Sequence, residues 1–298
     1  MTLNFNHLVI FQKVAEKGHF TRAAEELLIS QPAVSKQVHE LEKTLQQPLF
    51  TRVGQKVYLT EAGEVLADYA NRIVALAVEA EAVLQELQGL ERGRLAVGAS
   101  TTIGTYLLPE MLGRYKVHYP EIEIFIDVAN TETIQNDVRV HKLEIGLIEG
   151  DVLHPDLEYR PWQPDELVLI AAPRSEYGRR GHIALKELFS PHFPLISREP
   201  GSGTRAVLES AFARHGVPSP HASMELGSPE AIKRTVAAGI GYAFVSKSII
   251  QHEVAAGLLR QIPIEDFEVH RTLFVVYASE KRISRAARAF VDLIGIKF

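Results

Sequence analysis

Two runs of small polar residues have the composition of a site for anions. Ser100-Thr101-Thr102 follows a strand-like segment that ends at Ala99, and Gly201-Ser202-Gly203-Thr204-Arg205 follows another that ends at Ser197. Each run precedes a helix-like segment, so hydroxyl and free backbone N–H groups would gather at a helix N-terminus, where negative charge is stabilised. Ser and Thr also begin helices in most proteins, and ordinary capping explains either run taken alone.

Further candidate residues end neighbouring predicted strands. In open α/β sheets, ligands bind beyond the carboxyl ends of the strands, which adds Asn130, Thr131, Glu149 and Gly227 to the two runs. A carboxylate at position 149 would repel an anion unless a cation such as Arg205 paired with it. The hydroxyl groups of the two runs are therefore the expected holders of an anion.

A different chemistry is predicted for residues 20 to 50. Val34, Val38, Leu41 and Leu45 recur at steps of four, three and four, which is the apolar stripe of an α-helix. At about 100° per residue, the opposite face presents amides, hydroxyls and positive charge. That face holds Pro32, Lys36, His39 and Lys43, with Gln31 and Ser35 at its flank.

A shorter helix containing Ala23 and Ala24 is predicted before this one. Thr21 is its expected cap, whereas Ser30 is expected to cap the second helix, with Pro32 in the first turn. Two short helices joined by a tight turn, the second polar on its outer face, form a helix-turn-helix that fits the major groove of DNA. The alternative is a helical hairpin of any α-rich domain.

The next segment favours the DNA interpretation. Two β-prone runs, 50–52 and 57–60, flank Val53-Gly54-Gln55-Lys56, which predicts a small hairpin. Arg52 and Lys56 are placed to meet phosphates from this wing.

Residues 61 to about 90 are predicted to form one long helix, roughly 45 Å in length. Apolar residues alternate at steps of four and three, which is the pattern of a heptad seam and favours a partner helix over one long core helix. They are Leu66, Ala70, Ile73, Ala77, Ala80, Leu84 and Leu87. From residue 93 onwards, strand-like and helix-like segments alternate, which predicts parallel sheets with right-handed crossovers.

Residues 1 to 60 resemble the winged helix-turn-helix of the LysR-type transcriptional regulators. The resemblance rests on Phe11, Thr21-Arg22-Ala23-Ala24, Ser30-Gln31-Pro32-Ala33-Val34-Ser35, Leu41-Glu42, Leu49-Phe50-x-Arg52 and Leu59-Thr60-x-x-Gly63. Lys36 departs from the family pattern, in which arginine is frequent. A lysine still holds a phosphate but lacks the bidentate fork for guanine.

The resemblance implies an α/β protein in three parts. A winged helix-turn-helix DNA-binding domain spans 1–60, a linker and dimerisation helix spans 61–92, and a two-lobed effector domain similar to type 2 periplasmic-binding proteins spans 93–298. Lobe I would contain 93–163 and 269–298, and lobe II 164–268, with crossings near 161–165 and 266–271. The implied partners are double-stranded DNA with an interrupted palindromic operator, a second copy through the linker helix, a homotetramer, and RNA polymerase.

The resemblance also assigns residues to two sites. The implied DNA-binding residues are Thr21, Arg22, Ser30, Gln31, Pro32, Ser35, Lys36, His39 and Arg52. The implied effector-binding residues are Ser100, Thr101, Thr102, Asn130, Thr131, Glu149, Ser202, Gly203, Thr204 and Gly227. Members that share the motifs Ser-Thr-Thr-Ile-Gly, Ile-Glu-Gly and Arg-Glu-Pro-Gly-Ser-Gly-Thr-Arg include regulators of sulfur assimilation, sulfite response and Calvin-cycle genes. We therefore expect no cofactor, and a small anionic metabolite or oxyanion as effector.

Composition limits the remaining classes of function. Residues 1–60 hold seven Lys/Arg and five Asp/Glu, a net charge of +2, so the other residues contribute −7 to the total of −5. The positive charge therefore accompanies the predicted DNA unit, but a module of +2 is weak alone and favours several copies side by side. The absence of cysteine fits a reducing cytoplasm.

Three rival classes are less favoured. No GxSxG, HExxH or P-loop motif supports an enzyme. A secreted solute-binding protein is disfavoured because MTLNFNHLVIF lacks the features of a signal peptide and no apolar run is long enough for a membrane span. A purely architectural DNA protein would not need two α/β lobes.

Overall fold

The computed structural model describes residues 3–53, 56–86, 93–150, 154–190, 194–279 and 283–297. These residues form two compact units. The first contains the residues up to Leu84 together with Val140–Lys142, and the second contains the others. Within the described ranges, no helix is long and apolar enough to cross a membrane.

The first unit is a three-helix core followed by a hairpin and a long helix. Its elements are α1 (Phe5–Lys17), α2 (Phe20–Glu26), α3 (Gln31–Leu45), β1 (Phe50–Val53), β2 (Lys56–Leu59) and α4 (Glu61–Glu86). The predicted stripe of α3 is confirmed, because Val34, Val38 and Leu41 are buried and Leu45 packs against the same core. The predicted wing is confirmed as an antiparallel pair in which Phe50 faces Leu59.

The sequence predicted the N-cap of α3 correctly and the N-cap of α2 incorrectly. The Ser30 hydroxyl accepts from the Ala33 N–H, and a proline stands in the first turn of α3, as predicted. The prediction for Thr21 is wrong: the N-cap position is taken two residues earlier by His19, without a side-chain hydrogen bond, and α2 begins at Phe20. The apolar ring of Phe20 is buried in the core, which extends the helix past the hydroxyl that was expected to start it.

The exposed face of the linker helix α4 is not the face that carries the predicted seam. Leu66 packs against the core of α1 and α3, and Ala70 is fully buried in that core. The Gln12 amide also donates to the Asn71 side chain, at 2.9 Å, which fixes α4 on α1. The predicted seam is therefore wrong at its first two positions, because these residues bury against their own chain. Leu84 belongs to α4, but its side chain lies outside the described part of the structure. Leu87 lies outside the described residues altogether.

Exposed apolar side chains instead form a stripe displaced around α4. We call this set the linker stripe; it consists of Val65, Tyr69, Ile73 and Leu76. Their spacing of four, four and three keeps them on one side of the helix. Only Ile73 belongs to both the predicted seam and the linker stripe. A helix face that remains apolar and exposed after its own core is complete is a surface for a partner.

Leu28 has an unfavourable backbone conformation in the turn between α2 and α3. Its N–H bonds to the Glu25 carbonyl, and the next N–H bonds to the Ala24 carbonyl, which is the closing pattern of a helix C-terminus. The turn requires a left-handed residue, and Leu28 adopts a φ of 54°. Glycine or asparagine takes this conformation readily, whereas a leucine is strained there.

Leu28→Asn is expected to stabilise the first unit by about 1 kcal/mol, because it removes this strain. Leu28 is 91% exposed, so little packing is lost. Hydrogen exchange of the α3 backbone amides should slow about fivefold. Ile29→Asn changes the neighbouring position, which has no left-handed φ, and should give no such gain. Equal effects of the two substitutions would contradict the strain at Leu28.

The second unit is built on one mixed sheet with helices around it. Its strands are β3 (Gly93–Ser100), β4 (Ile122–Ala129), β5 (Ile145–Glu149), β6 (Glu158–Ala171), β7 (Ile183–Ala184), β8 (Leu195–Ser197), β9 (Ala222–Glu225), β10 (Tyr242–Ser246), β11 (Arg260–Gln261), β12 (Ile264–Glu265) and β13 (Val269–Tyr277). Its helices are α5 (Leu108–His118), α6 (Thr131–Arg139), α7 (Glu176–Arg179), α8 (Gly203–Arg214), α9 (Pro229–Ala237), α10 (Gln251–Ala255) and α11 (Arg285–Leu293).

The strand order shows how two lobes share this sheet. The order is β4-β3-β5-β13-β6-β10-β8-β9, with β11 paired to β6. Lobe I contains β3, β4 and β5, which are mutually parallel, and lobe II contains β8, β9 and β10, which are parallel as well. The predicted parallel sheets are thus confirmed within each lobe.

The connection between the lobes is made by two long strands. β6 and β13 run antiparallel to each other along their length and connect the strands of lobe I to those of lobe II. The sequence places the crossings near 161–165 and 266–271. The first range lies within β6, and the second overlaps the start of β13 at Val269. Trp162 lies in the crossing part of β6 and packs against the lobe I core.

Candidate functional site

The outer face of α3 presents the predicted DNA-contacting groups. Ser30, Gln31, Pro32, Lys36 and His39 are exposed, and so are Thr21 and Arg22 on α2. Ser35 is half-buried, and its hydroxyl accepts from the Gln31 amide at 2.8 Å. An intrahelical bond at this spacing holds the Gln31 side chain along the surface of the helix, where its remaining amide groups face outwards.

The wing is attached to α3 by one carboxylate. Glu42 Oε1 accepts from the backbone N–H groups of Leu49 and Phe50, at 2.8 and 3.4 Å. The position of β1 relative to the recognition helix is thereby fixed. Lys56 is exposed at the start of β2, whereas the side chain of Arg52 lies outside the described residues. Its predicted phosphate contact stays a prediction.

In the second unit, three of the predicted effector-binding hydroxyls meet on a single carboxylate. Ser100 Oγ donates to Glu149 Oε1 at 2.8 Å, and Thr204 Oγ1 donates to Glu149 Oε2 at 2.8 Å. The Thr102 hydroxyl also interacts favourably with this carboxylate and helps to lower its pKa. Ser100 and Glu149 end strands of lobe I, while Thr204 begins α8 of lobe II. The carboxylate therefore bridges the lobes.

The cation that neutralises Glu149 is Arg271 of the crossing strand β13. Arg271 Nη1 lies 2.6 Å from Glu149 Oε2, and Arg271 Nε donates to Asp165 Oδ2 at 2.7 Å. Asp165 on β6 in turn accepts from the Ser246 hydroxyl, at 2.7 Å. The prediction of Arg205 as this partner is wrong: Arg205 lies on the first turn of α8 and pairs with Glu209 and Glu225.

The protonation of Glu149 follows from these contacts. Burial would raise the pKa of the Glu149 carboxyl, because the charged form loses its water. The Arg271 guanidinium and the Thr204, Thr102 and Ser100 hydroxyls outweigh burial and lower that pKa to about 2. Glu149 is therefore ionised at neutral pH and is held as an anion within the protein.

The two lobes also pack closely beside this carboxylate. A Cβ atom on Gly203 would lie 2.0 Å from the Glu149 carbonyl oxygen, so only glycine lets α8 approach the end of β5. The Thr131 hydroxyl donates to the same carbonyl, at 3.4 Å, and the Asn130 amide donates to the Pro200 carbonyl, at 3.3 Å. The predicted residues at the ends of β4 and β5 are thus brought together with those before α8.

A second polar contact between the lobes lies at Arg198, three residues before the predicted run in lobe II. Arg198 Nη2 donates to the Thr101 hydroxyl of lobe I at 3.2 Å. Arg198 Nε and Nη2 donate to the two carboxylate oxygens of Glu199, at 2.8 and 2.9 Å. Gly227 lies near this carboxylate, since a Cβ atom there would be 3.8 Å from Glu199 Oε2.

The remaining predicted residue, Ser202, is buried at the N-cap of α8 but makes no capping bond with its side chain. A third contact between the lobes is the bond from the Tyr106 hydroxyl to Glu230 Oε2, at 2.7 Å.

Three charged residues that make these contacts were missed by sequence reasoning: Arg271, Asp165 and Arg198. Alternation along β13 would have revealed the first, because Val269, Arg271 and Leu273 occupy successive positions on its buried face. Among the described residues, no group of acidic and histidine side chains is arranged to hold a metal ion.

Comparisons with known proteins agree with both units. Residues 5–64 match the family of bacterial regulatory helix-turn-helix proteins, lysR family, and residues 88–297 match the LysR substrate binding domain. A probable RuBisCO transcriptional regulator from Trichormus variabilis is 36% identical, over 100% of this chain and 89% of that protein.

Solved structures match as well. A full-length OxyR variant from Pseudomonas aeruginosa superposes with a TM-score of 0.73 at 24% identity, covering 100% of this chain and 96% of OxyR, which establishes the shared fold. The Synechocystis CcmR regulatory domain, solved in complex with 2-PG, has a TM-score of 0.62 at 30% identity and covers 68% of this chain and 96% of its own.

These similar proteins are regulators and not enzymes. The motifs suggested three groups of regulators, and the relative named above belongs to the group that controls Calvin-cycle genes. The domain match covers more than half of the chain, and the relative is similar along the whole of it. This chain is therefore a LysR-type transcriptional regulator, with an N-terminal winged helix-turn-helix and a two-lobed α/β effector-binding domain.

Proposed function

We propose that this regulator binds operator DNA through the outer face of α3, acts as a dimer or tetramer in the cytoplasm, and is switched by a small anion bound between its two lobes. The observation that carries the switch is the polar contact between lobes. Ser100 and Thr204 donate to one carboxylate from opposite lobes, so a change in closure must rearrange that carboxylate's hydrogen bonds. No cofactor besides the effector is proposed.

The similar proteins support the class of effector. The CcmR regulatory domain, with 30% identity, was solved with 2-PG, which is a small anionic metabolite. The relative from Trichormus variabilis is named a probable RuBisCO transcriptional regulator. We infer a related anion for this chain, and genes of carbon metabolism as its targets.

Coupling between effector and DNA requires two states of the effector domain. A ligand shifts an equilibrium only if it binds one state more tightly than the other. Closure of the lobes supplies two such states, because the contacts at Glu149, Arg198 and Tyr106 all join lobe I to lobe II. A coupling of about 1–3 kcal/mol would change operator affinity roughly 5–150-fold.

The DNA-binding part of the proposal is tested at Gln31. Gln31→Ala should relax the sequence preference of the protein, with a loss of about 1–3 kcal/mol on the preferred operator, because an amide that reads a base edge is removed. A gel-shift series on the upstream region of the protein's own gene, compared with a scrambled duplex, measures the change.

Gln37→Ala is the matched control, since Gln37 lies on α3 but is half-buried rather than on the outer face. Its preference should equal that of the wild type. Unchanged affinity and preference of Gln31→Ala would reject the assignment of α3 as the base-reading element through this residue.

A further inference from the structure

The hydroxyl groups around Glu149 are poor candidates for direct contact with an anion. Ser100 and Thr204 already donate to Glu149, and the Thr102 hydroxyl helps to lower the pKa of the same carboxyl. The enclosed charges are two carboxylates, Glu149 and Asp165, against one guanidinium, so the cluster has a net charge of −1. An incoming anion would meet donors that are in use and a repulsive charge. A different group must therefore supply its positive partner.

The buried or half-buried cations near the lobe junction differ in how completely they are neutralised. Arg271, Lys233 and Arg205 each pair with two carboxylates. Arg198 pairs with one, and that one belongs to the adjacent residue, Glu199. Arg198 is only 5% exposed, so its charge is largely removed from water, where an attraction to an anion is strongest.

Arg198 also has an unused donor. Its hydrogen bonds leave from Nε and Nη2, and within the described part of the chain Nη1 donates to no protein group. Four side-chain polar atoms of the described residues are fully buried without a hydrogen-bond partner, and Arg198 Nη1 is not one of them. Since Nη1 has no protein partner, it must be accessible to solvent. The Ser202 hydroxyl, four residues along, is equally uncommitted among the described residues and stands at the N-terminus of the twelve-residue helix α8. Both groups can donate to an added anion.

The contact between Arg198 and Glu199 has the geometry of a bound ligand. The two carboxylate oxygens of Glu199 accept from Nε and Nη2 at 2.8 and 2.9 Å, which is the two-point arrangement that a free carboxylate or phosphoryl group makes with arginine. The Glu199 side chain is 26% exposed, so it can leave the guanidinium and be solvated. Gly227 leaves space beside it.

Binding at this position would act on lobe closure directly. Arg198 belongs to lobe II, and its Nη2 donates to Thr101 of lobe I at 3.2 Å. A ligand that competes for Nη2 changes a contact between the lobes and not merely the surface of one of them.

From these observations we infer that Arg198 is the cation that binds the effector's carboxylate or phosphoryl group, and that Glu199 is an internal competitor which occupies the guanidinium until the effector displaces it. The inference rests on the proposed anionic effector and adds the residues that hold it. Glu149 keeps its place on Arg271 throughout and directs the anion to Arg198.

The test measures calorimetric binding of 2-PG and of inorganic phosphate to the full chain and to three variants. Arg198→Gln removes the charge and should weaken binding at least about tenfold, because charge-assisted bonds to arginine are lost. Glu199→Gln keeps the shape but removes the competing charge, and should tighten binding severalfold. Arg214→Gln is the control: it removes an exposed arginine from the last turn of α8, at the end of the helix opposite to Ser202, and should bind as the wild type does.

The outcomes separate this inference from the proposed function. If wild type binds a probe and Arg198→Gln binds it equally, the anionic effector stands and Arg198 is rejected as its holder. If Arg198→Gln loses binding while Glu199→Gln is unchanged, the competitor role of Glu199 is rejected. If no protein, Glu199→Gln included, binds either probe, the anionic effector itself fails and the inference fails with it. Trp162 fluorescence verifies that each variant is folded, and Glu199→Gln still decides the matter if Arg198→Gln does not fold.

Discussion

Arg271→Met is expected to lower the free energy of unfolding of the second unit by about 3–5 kcal/mol, because it leaves two buried carboxylates without their cation. Glu149 is 2% exposed and cannot recover its hydration without opening the contact between the lobes. Asp165 loses the same partner. Methionine matches the length of the arginine stem, so the loss comes mainly from charge and hydrogen bonds rather than from a cavity.

Urea unfolding followed by fluorescence measures this loss. Trp162 is the single tryptophan of the chain and packs against the lobe I core, so its emission reports the second unit. Arg205→Met is the control: its two ion pairs are partly exposed, and we expect a change below about 1 kcal/mol. Similar losses for the two variants would mean that the buried cluster contributes no more to the free energy of unfolding than a partly exposed ion pair does.

The pH dependence gives an independent check on the same substitution. Glu149 has a pKa of about 2 in the folded protein, against an ordinary value of 4.5. A lowered pKa contributes stability that is present above pH 4.5 and is lost as the pH falls towards 2. This contribution needs Arg271, so wild type loses it in acid while Arg271→Met has none to lose. The difference in stability between the two proteins should therefore narrow below pH 4.5.

The sequence predicted the first unit well, because its local signals and its core agree. Val34, Val38 and Leu41 recur at helical spacing and are buried, and Ser30 caps the helix that they define. The error at Thr21 has a local cause, since burial of the adjacent Phe20 extends α2 beyond the predicted cap, to Phe20. Agreement between periodicity, capping and packing is what makes a short element predictable.

The linker helix shows where periodicity alone fails. Leu66 and Ala70 have the spacing of a coiled-coil seam, but they are also the residues that reach α1 and α3. One helix can meet two partners on adjacent faces, and a list of apolar positions does not say which partner each position meets.

The sequence predicted which residues of the candidate site lie together, but not which groups they bind. Residues at strand ends were expected to gather, and Ser100, Glu149 and Thr204 do so. Their hydroxyls were expected to face an anion from outside, yet they face one that belongs to the chain. Arg271 lies 122 residues from Glu149 in sequence, and a pairing over that separation depends on the antiparallel register of β13 with β5, which local patterns do not encode.

Leu76→Glu is expected to dissociate the smallest dimer and to reduce operator affinity at least about a hundredfold. The linker stripe of Val65, Tyr69, Ile73 and Leu76 is exposed although the core of the first unit is complete. A second copy that covers the stripe would enclose the new carboxylate without a cation, which is strongly unfavourable. Loss of the dimer separates two DNA-binding units, and the gain from engaging both half-sites together disappears with it.

Sedimentation velocity at micromolar concentration, combined with gel shifts, tests this expectation. Leu258→Glu is the matched control, because Leu258 is 56% exposed and Leu76 is 55% exposed, while only Leu76 belongs to the linker stripe. The control should remain dimeric and bind the operator. If Leu76→Glu also stays dimeric, the helices must meet through another face of α4. Ala77→Glu then distinguishes the cases, since Ala77 lies on the predicted seam, about 100° around the helix from Leu76. A dimer that resists both substitutions would have to be held together by surfaces outside the described turns of α4.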